Sequence, residues 1–296
     1  MLSSLLVSAV AQTSSVYTLP IGAPGTMNVR SGQIVESKSG KSTKLSTIVR
    51  SAEGVQYVLL GESHDHAEHH QMQAQIIEAF AKSGRDVVVG FEMFDRSNQS
   101  NLTNWPLGWG SEEEFIQESN WKAQWGFDFA LYRPIFTTVR KYRLPMVALN
   151  VPRAWVRSVG KSGFSALTPE QQSELPRDMS LGNRDHRTVF DALMGGHGPT
   201  GGSMDNVYSA QVLWDEGMAD SAIKALRKRD PAGKPVVIIV AGIGHVMYGQ
   251  GINYRITRQS GAPTLSVSMV ETNSAMTVAR GLGDFVYAAK EQVRER

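Results

Sequence analysis

The chain has 296 residues, of which 41% are hydrophobic, 20% charged and 8% aromatic. That balance describes a folded globular protein and excludes a disordered, collagenous or membrane-bundle chain. A formal net charge of +2 leaves no excess of basic residues for a dedicated nucleic-acid binder. The absence of cysteine removes disulfide frameworks, Cys-ligated zinc or iron–sulfur sites, cysteine nucleophiles and a lipidated N-terminal Cys.

The chain opens on an apolar stretch, Leu2–Val10, ending in the small-x-small triplet Ala9-Val10-Ala11. This resembles the back half of a secretory signal cut after Ala11, although a basic leading region is missing. It predicts export to the periplasm or cell envelope, without a Cys anchor. No later segment approaches the ~20 apolar residues of a membrane span. Residues 12–55, rich in Ser, Thr, Gly and Val, read as an N-terminal arm of irregular chain or short strands.

Tyr57–Leu60 is an apolar run ended by Gly61 and reads as a buried strand. Met72, Ile76, Ile77 and Phe80 recur at helical spacing, which predicts a helix over 66–81 stopped by Ser83-Gly84. Asp86–Phe91 is the next strand. Residues 95–130 are rich in Trp, Asn and Gly. Tyr132–Tyr142 reads as a helix with Pro134 in its first turn, where no amide donor is needed. Met146–Leu149 is a third strand, and helices follow over 152–195. Gly195–Gly202 reads as a mobile loop with little to pack. Asn206–Arg229 is the longest predicted helix, Val236–Val240 a fourth strand, Thr264–Val270 a fifth, and 284–296 an amphipathic C-terminal helix.

Strands of near-continuous apolar residues alternating with helices predict an α/β fold, a central, mostly parallel sheet covered by helices, with a helical insertion. The organisation read from this is a signal remnant at 1–11, the arm at 12–55, one α/β domain at 56–283 and a terminal helix at 284–296.

The chemistry collects where the strands end. Glu62 and His64 follow the first apolar run, Glu92 the second, Asn150 and Arg153 the third, and His245, within Gly242-Ile243-Gly244-His245, the fourth. In open parallel sheets the ligand crevice lies beyond the carboxyl ends of the strands, so these side chains are expected at one mouth. Glu62 and His64, two apart on extended chain, point to the same side. Imidazoles and carboxylates without thiolates suit Zn, Mn or Fe, or an axial position on haem. Glu62, His64, Glu92 and His245 are therefore candidates both for a catalytic cluster and for metal ligation. Each residue also has a plainer reading. His69 and His70 fit a solvated helix face, His197 loop filler, Arg153 a helix cap, and His186 either a surface helix or a pocket wall. No Gly-x-Ser-x-Gly elbow, phosphate-binding P-loop or His-Glu-x-x-His motif is present.

Six segments taken in order carry a resemblance. They are Gly61-Glu62-Ser63-His64-Asp65 with His69-His70; Phe91-Glu92-Met93-Phe94; Tyr132-Arg133-Pro134-Ile135; Ala148-Leu149-Asn150-Val151-Pro152-Arg153; Tyr208–Gln211 with Asp215–Ala219; and Gly242–His245. Between about Tyr57 and Tyr254 the chain resembles the ChaN-like haem-binding uptake proteins of the Tiki and erythromycin-esterase-like superfamily. The resemblance implies an α/β fold and haem binding in iron acquisition, in an exported protein. In other branches it implies hydrolysis at a Glu/His cluster, with a divalent metal in some. On the haem reading, the axial candidates are Tyr132, His64 and His245, with Tyr248 behind them. Arg153 would meet a propionate, and Phe91, Met93, Phe94 and Trp155 would form apolar walls. Haem shared across a homodimer fits this reading. The alternatives are a hydrolase using Glu62, His64, Glu92 and His245, and a partner-binding scaffold with a Trp105, Trp109, Trp121 and Trp125 patch.

Overall fold

Strand runs that are apolar at every position can be buried on both faces, and the sheet is built on them. The computed structural model describes residues 15–195 and 203–292. The predicted signal remnant, most of the glycine loop and His197 lie outside the described residues. Among the described residues ten strands form: β1 (Thr26–Arg30), β2 (Gln33–Glu36), β3 (Lys41–Thr43), β4 (Tyr57–Glu62), β5 (Val87–Asp95), β6 (Met146–Asn150), β7 (Val236–Gly242), β8 (Thr264–Glu271), β9 (Ala275–Ala279) and β10 (Phe285–Ala289). Eight make one sheet in the order β3-β2-β10-β8-β4-β7-β5-β6, with β1 and β9 paired in a separate ribbon. From β10 to β6 every pairing is parallel, whereas β2 pairs antiparallel with both β10 and β3.

Among the described residues ten α-helices accompany the strands: α1 (Leu45–Ser51), α2 (Ala67–Ala81), α3 (Glu112–Glu118), α4 (Trp121–Gln124), α5 (Phe129–Tyr142), α6 (Arg153–Ser162), α7 (Pro169–Ser173), α8 (Arg184–Leu193), α9 (Met204–Arg227) and α10 (Ile252–Ser260). The two-residue period of the strands divides the core. Val58, Leu60, Val89 and Phe91 face α2 and α5, where Phe80, Phe129 and Phe136 meet them. Tyr57, Leu59 and Val88 face α9 and α10, against Met218, Ala222 and Ile256. Gly217 lets α9 come close to the chain after β6, because a Cβ there would lie 2.4 Å from Cγ1 of Val151. Mid-helix glycine costs about 1 kcal/mol relative to alanine, and the close approach explains its presence.

Two expectations are corrected. Residues 285–289 form a buried strand between β8 and β2 rather than part of a terminal helix. Their run Phe-Val-Tyr-Ala-Ala is apolar at every position, and pairing with β8 on one side and β2 on the other buries both of its faces. Helix α5 begins at Phe129, capped by the Asp128 side chain, so Pro134 sits inside it rather than in the first turn. At the outer edge, the Gln99 side chain donates to the Met146 carbonyl (3.0 Å) and accepts from Ala148 N–H (2.9 Å), occupying the open side of β6. Among the described residues no helix is long and apolar enough to cross a membrane.

Candidate functional site

Residues Glu62, at the end of β4, and Gly242, at the end of β7, are paired across the sheet. The strand period sends Glu62 to the α2/α5 face and Glu92, near the end of β5, to the α9 face. A register irregularity after Phe91 bends β5 at this point, and Asn150 Nδ2 holds the bend by donating to the Glu92 carbonyl (3.1 Å). Two acid–imidazole pairs therefore rise from opposite faces and meet above the strand ends.

In the first pair, His64 Nδ1 donates to Glu62 Oε1 at 2.7 Å. Tyr132, fully buried on α5, donates to the same oxygen (3.3 Å) and to the His64 carbonyl (3.2 Å). His70 Nε2 lies 3.4 Å from Glu62 Oε2. Burial alone would raise the Glu62 pKa, but the contacts with His64 and His70 prevail and hold it below the usual carboxylate range. Burial likewise opposes a charge on His64, yet the bond to Glu62 and the nearby Glu92 raise its pKa. The phenol of Tyr132 is driven well above its ordinary range, first by burial and then by the Glu62 charge.

In the second pair, His245 Nε2 faces Glu92 Oε1 at 3.3 Å, and its Nδ1 donates to Asp215 Oδ1 at 2.6 Å. Gly242 N–H donates to Glu92 Oε2 at 2.6 Å. Burial disfavours the imidazolium, but Glu92 and Asp215 on its two sides outweigh burial and take the His245 pKa up to about 10. Despite burial, Glu92 is held at about 2, chiefly by the His245 charge. Behind Asp215 the chain of contacts continues. His186 Nε2 lies 3.0 Å from Oδ2, and Arg255 Nη2 meets His186 Nδ1 at 3.1 Å. Burial lowers the His186 pKa, keeping that ring neutral.

The four predicted residues Glu62, His64, Glu92 and His245 thus come together. Their facing atoms are already matched in pairs, and among the described residues no group of three or more His, Asp or Glu is arranged to hold a metal ion. Arg153 also reaches this end of the sheet. It donates to the Ala123 carbonyl (3.2 Å), and the charges of Asp95 and Glu92 act on it. Tyr248 is not brought here: its hydroxyl donates to the Val16 carbonyl (2.7 Å) and accepts from Leu19 N–H (2.9 Å). Phe91, Met93 and Phe94 are fully buried against the α5 layer and form core rather than pocket wall, while Trp155 packs half-buried on α6. His69 and His70 are buried, not solvated, because the first turn of α2 is wedged between the ends of β4 and β8; His69 Nδ1 accepts from Ser63 N–H and Nε2 meets the Val270 carbonyl. Of the four tryptophans in the proposed patch, Trp105 and Trp121 are buried and Trp109 is exposed.

Trp125 instead lines the mouth. It stands edge-on to His64 with ring centres 4.6 Å apart, and Phe127 lies at 5.4 Å. The His64 side chain is 32% exposed and Phe127 37%. Leu193, also exposed, lies over Gly244. Arg255 and Phe127 were not singled out from sequence; Trp125 entered only as part of the partner-binding patch and Asp215 only within a segment carrying the family resemblance. The one local sign was the acid pair Asp215-Glu216 within an otherwise apolar helix face.

Comparison with known proteins bears on this arrangement. The chain aligns over 89% of its length, and 98% of the other, with a structure described as cofacial heme binding to ChaN of Campylobacter jejuni, at 19% identity and a TM-score of 0.67. That likeness establishes the fold. A type III effector (13% identity, TM-score 0.47, covering 84% of this chain and 94% of the effector) and an erythromycin esterase mutant in its open conformation (12%, 0.47, covering 82% and 77%) are more distant. A search by sequence among curated proteins finds no match. The sequence profile described as "Haem-binding uptake, Tiki superfamily, ChaN" matches residues 48–256. A match over that much of the chain, on a fold shared with ChaN, shows that this protein belongs to the ChaN family of haem-binding uptake proteins.

Proposed function

We propose that the mouth above β4, β5 and β7 binds haem, with His64 as the ligand to iron, in a protein serving iron acquisition in the cell envelope. One observation carries this reading. His64 is anchored through Nδ1 by a buried carboxylate, while its Nε2, without a hydrogen bond to the described residues, lies in a partly open aromatic setting with Trp125 and Phe127. A carboxylate behind an imidazole fixes its tautomer and strengthens it as a ligand.

The residues present fit the group. Trp125, Phe127 and Leu193 offer apolar surface, and Arg153 offers a cation for a propionate. The other two axial candidates fit less well. Both His245 nitrogens face carboxylates, and the Tyr132 phenol is buried and kept protonated. Tyr132 therefore positions Glu62 and His64 rather than reaching a ligand.

A haemin titration followed by absorbance tests the reading. The expected result is saturable binding near one haem per chain, weakened about tenfold or more in His64→Ala. Tyr132→Phe would retain it. Unchanged binding in His64→Ala, or the absence of saturation in the wild-type chain, would overturn it.

A second reading, hydrolysis, is favoured by the Glu92–His245–Asp215 array, of which the Glu92 and His245 charges also act on His64. His64 bonded to Glu62 is placed to take a proton from water, and the His245 imidazolium to stabilise or protonate a leaving group. Loss of turnover in folded Glu62→Gln and His245→Ala would support it. Turnover retained in both would remove this cluster as the catalyst.

A further inference from the structure

A cavity of about 700 Å³ lies at the other end of the sheet, where β8 and β10 begin. Its volume falls within the ~300–1,000 Å³ range of small-molecule sites. Its walls come from the end of β2, the start of β8, the turn before β10 and one face of α10. Many of these segments lie outside residues 48–256, the span shared with the family profile.

Two buried polar side chains line the cavity with hydrogen-bonding capacity left over. Ser37 is 5% exposed and Asn253 4%, and neither Ser37 Oγ nor Asn253 Oδ1 has a hydrogen-bond partner among the described residues. The Asn253 amide nitrogen is anchored on Thr264 Oγ1 (3.3 Å), which leaves the acceptor oxygen unused. Buried polar atoms are rarely left this way unless something else completes them. Asp284 stands at the rim, its Oδ2 fixed by the backbone and hydroxyl of Ser266 (2.7 and 2.9 Å).

The remaining lining decides the class of ligand. Glu36 and Asp284 balance Lys38 and Arg280. The Arg280 guanidinium donates to the carbonyls of Ser37 and Lys38 (2.8 and 3.3 Å) and so serves the wall. An anion gains little here, and an apolar ligand would leave the buried acceptor and hydroxyl unmet. Half-buried Tyr254 adds an aromatic ring with a polar tip.

From this we infer that the cavity is a binding site for a neutral polyhydroxylated ligand, a carbohydrate of about disaccharide size. Sugar hydroxyls donate to Asp284 at the rim, a C–H face lies on Tyr254, and small shifts of the wall bring the solvent-closed Asn253 Oδ1 and Ser37 Oγ into hydrogen bonds with the sugar.

The test is a saturation-transfer NMR titration of the full chain with cellobiose, maltose, lactose and N,N′-diacetylchitobiose, and with glucose 6-phosphate for comparison. Ser51→Trp, on an exposed residue of the wall, fills the cavity without removing a buried bond; Tyr254→Ala removes the aromatic platform. The expected result is saturable millimolar binding of at least one neutral disaccharide, about tenfold weaker in each variant, with thermal melting and haemin titration unchanged in Ser51→Trp. Absence of saturable transfer from all four, equal binding in Ser51→Trp, or preference for glucose 6-phosphate would each overturn the proposal.

Discussion

The ring of His64 occupies the space that a side chain on residue 242 would need: a Cβ on Gly242 would lie 2.6 Å from His64 Cε1. The same glycine donates its N–H to Glu92. One residue on the strand between β4 and β5 therefore seats one acid–imidazole pair and grips the acid of the other. Replacing Gly242 with Ala forces the His64 ring outward. Overpacking of this kind costs about 1–3 kcal/mol. We expect a lower thermal midpoint and haemin affinity reduced about tenfold, read from parallel melts and titrations. Wild-type affinity in Gly242→Ala would show that the close contact does not govern the mouth.

Alkaline conditions should loosen the second pair. The His245 pKa rises from an ordinary 6.5 to about 10 in the fold. Below pH 6.5 folded and unfolded chains both hold the proton; between 6.5 and about 10 only the folded chain does. Stability is thus full below 6.5 and declines as pH rises through about 10, by up to about 1.4 kcal/mol per pH unit. Urea denaturation from pH 6 to 10 should show this slope, and His245→Gln should flatten it.

Acid should act on a different histidine. Burial, then the neighbouring His66, lowers the His69 pKa to about 3. The two rings stack with centres 4.0 Å apart. Between pH 6.5 and about 3 the unfolded chain takes up a proton that the folded chain refuses. The stability present above 6.5 is therefore lost as pH falls through that window. Denaturation at pH 7, 6, 5 and 4 measures the loss, and His69→Gln should reduce its slope.

Helix α9 should reject even one added methyl at its closest approach. Gly217→Ala places a Cβ 2.4 Å from Val151 Cγ1, and the expected loss is about 1–3 kcal/mol despite alanine's better helix propensity. Val151→Ala made in the same chain should recover part of it, the signature of direct coupling. Simple additivity of the two changes would place the strain elsewhere.

The parts legible in the sequence were those written in consecutive residues. Tyr57–Leu60 and Val236–Val240 announce buried strands because every position is apolar, and the rule for parallel sheets then carries Glu62, Glu92 and His245 to one end. Asp215 and His186 were not legible as a unit, since they lie 29 positions apart in separate helices and meet only once α9 crosses β7. His70 was misread because two adjacent imidazoles suggest solvent, whereas Glu62 lies beneath one and the β8 backbone beneath the other. The strand Phe285–Ala289 was hidden by the charged residues that follow it, which mimic one face of a helix.

The side chain of Gln99 has a consequence for how two copies of the chain could meet. A free edge strand is a template on which another strand can crystallise, the common route to runaway association. Here an amide on a side chain impersonates the neighbouring backbone at Met146 and Ala148. The other margin of the sheet, β3, is three residues long and begins with Lys41. The sheet is thus finished like a hemmed cloth. Edge-to-edge pairing of two copies is thereby disfavoured at both margins of the main sheet.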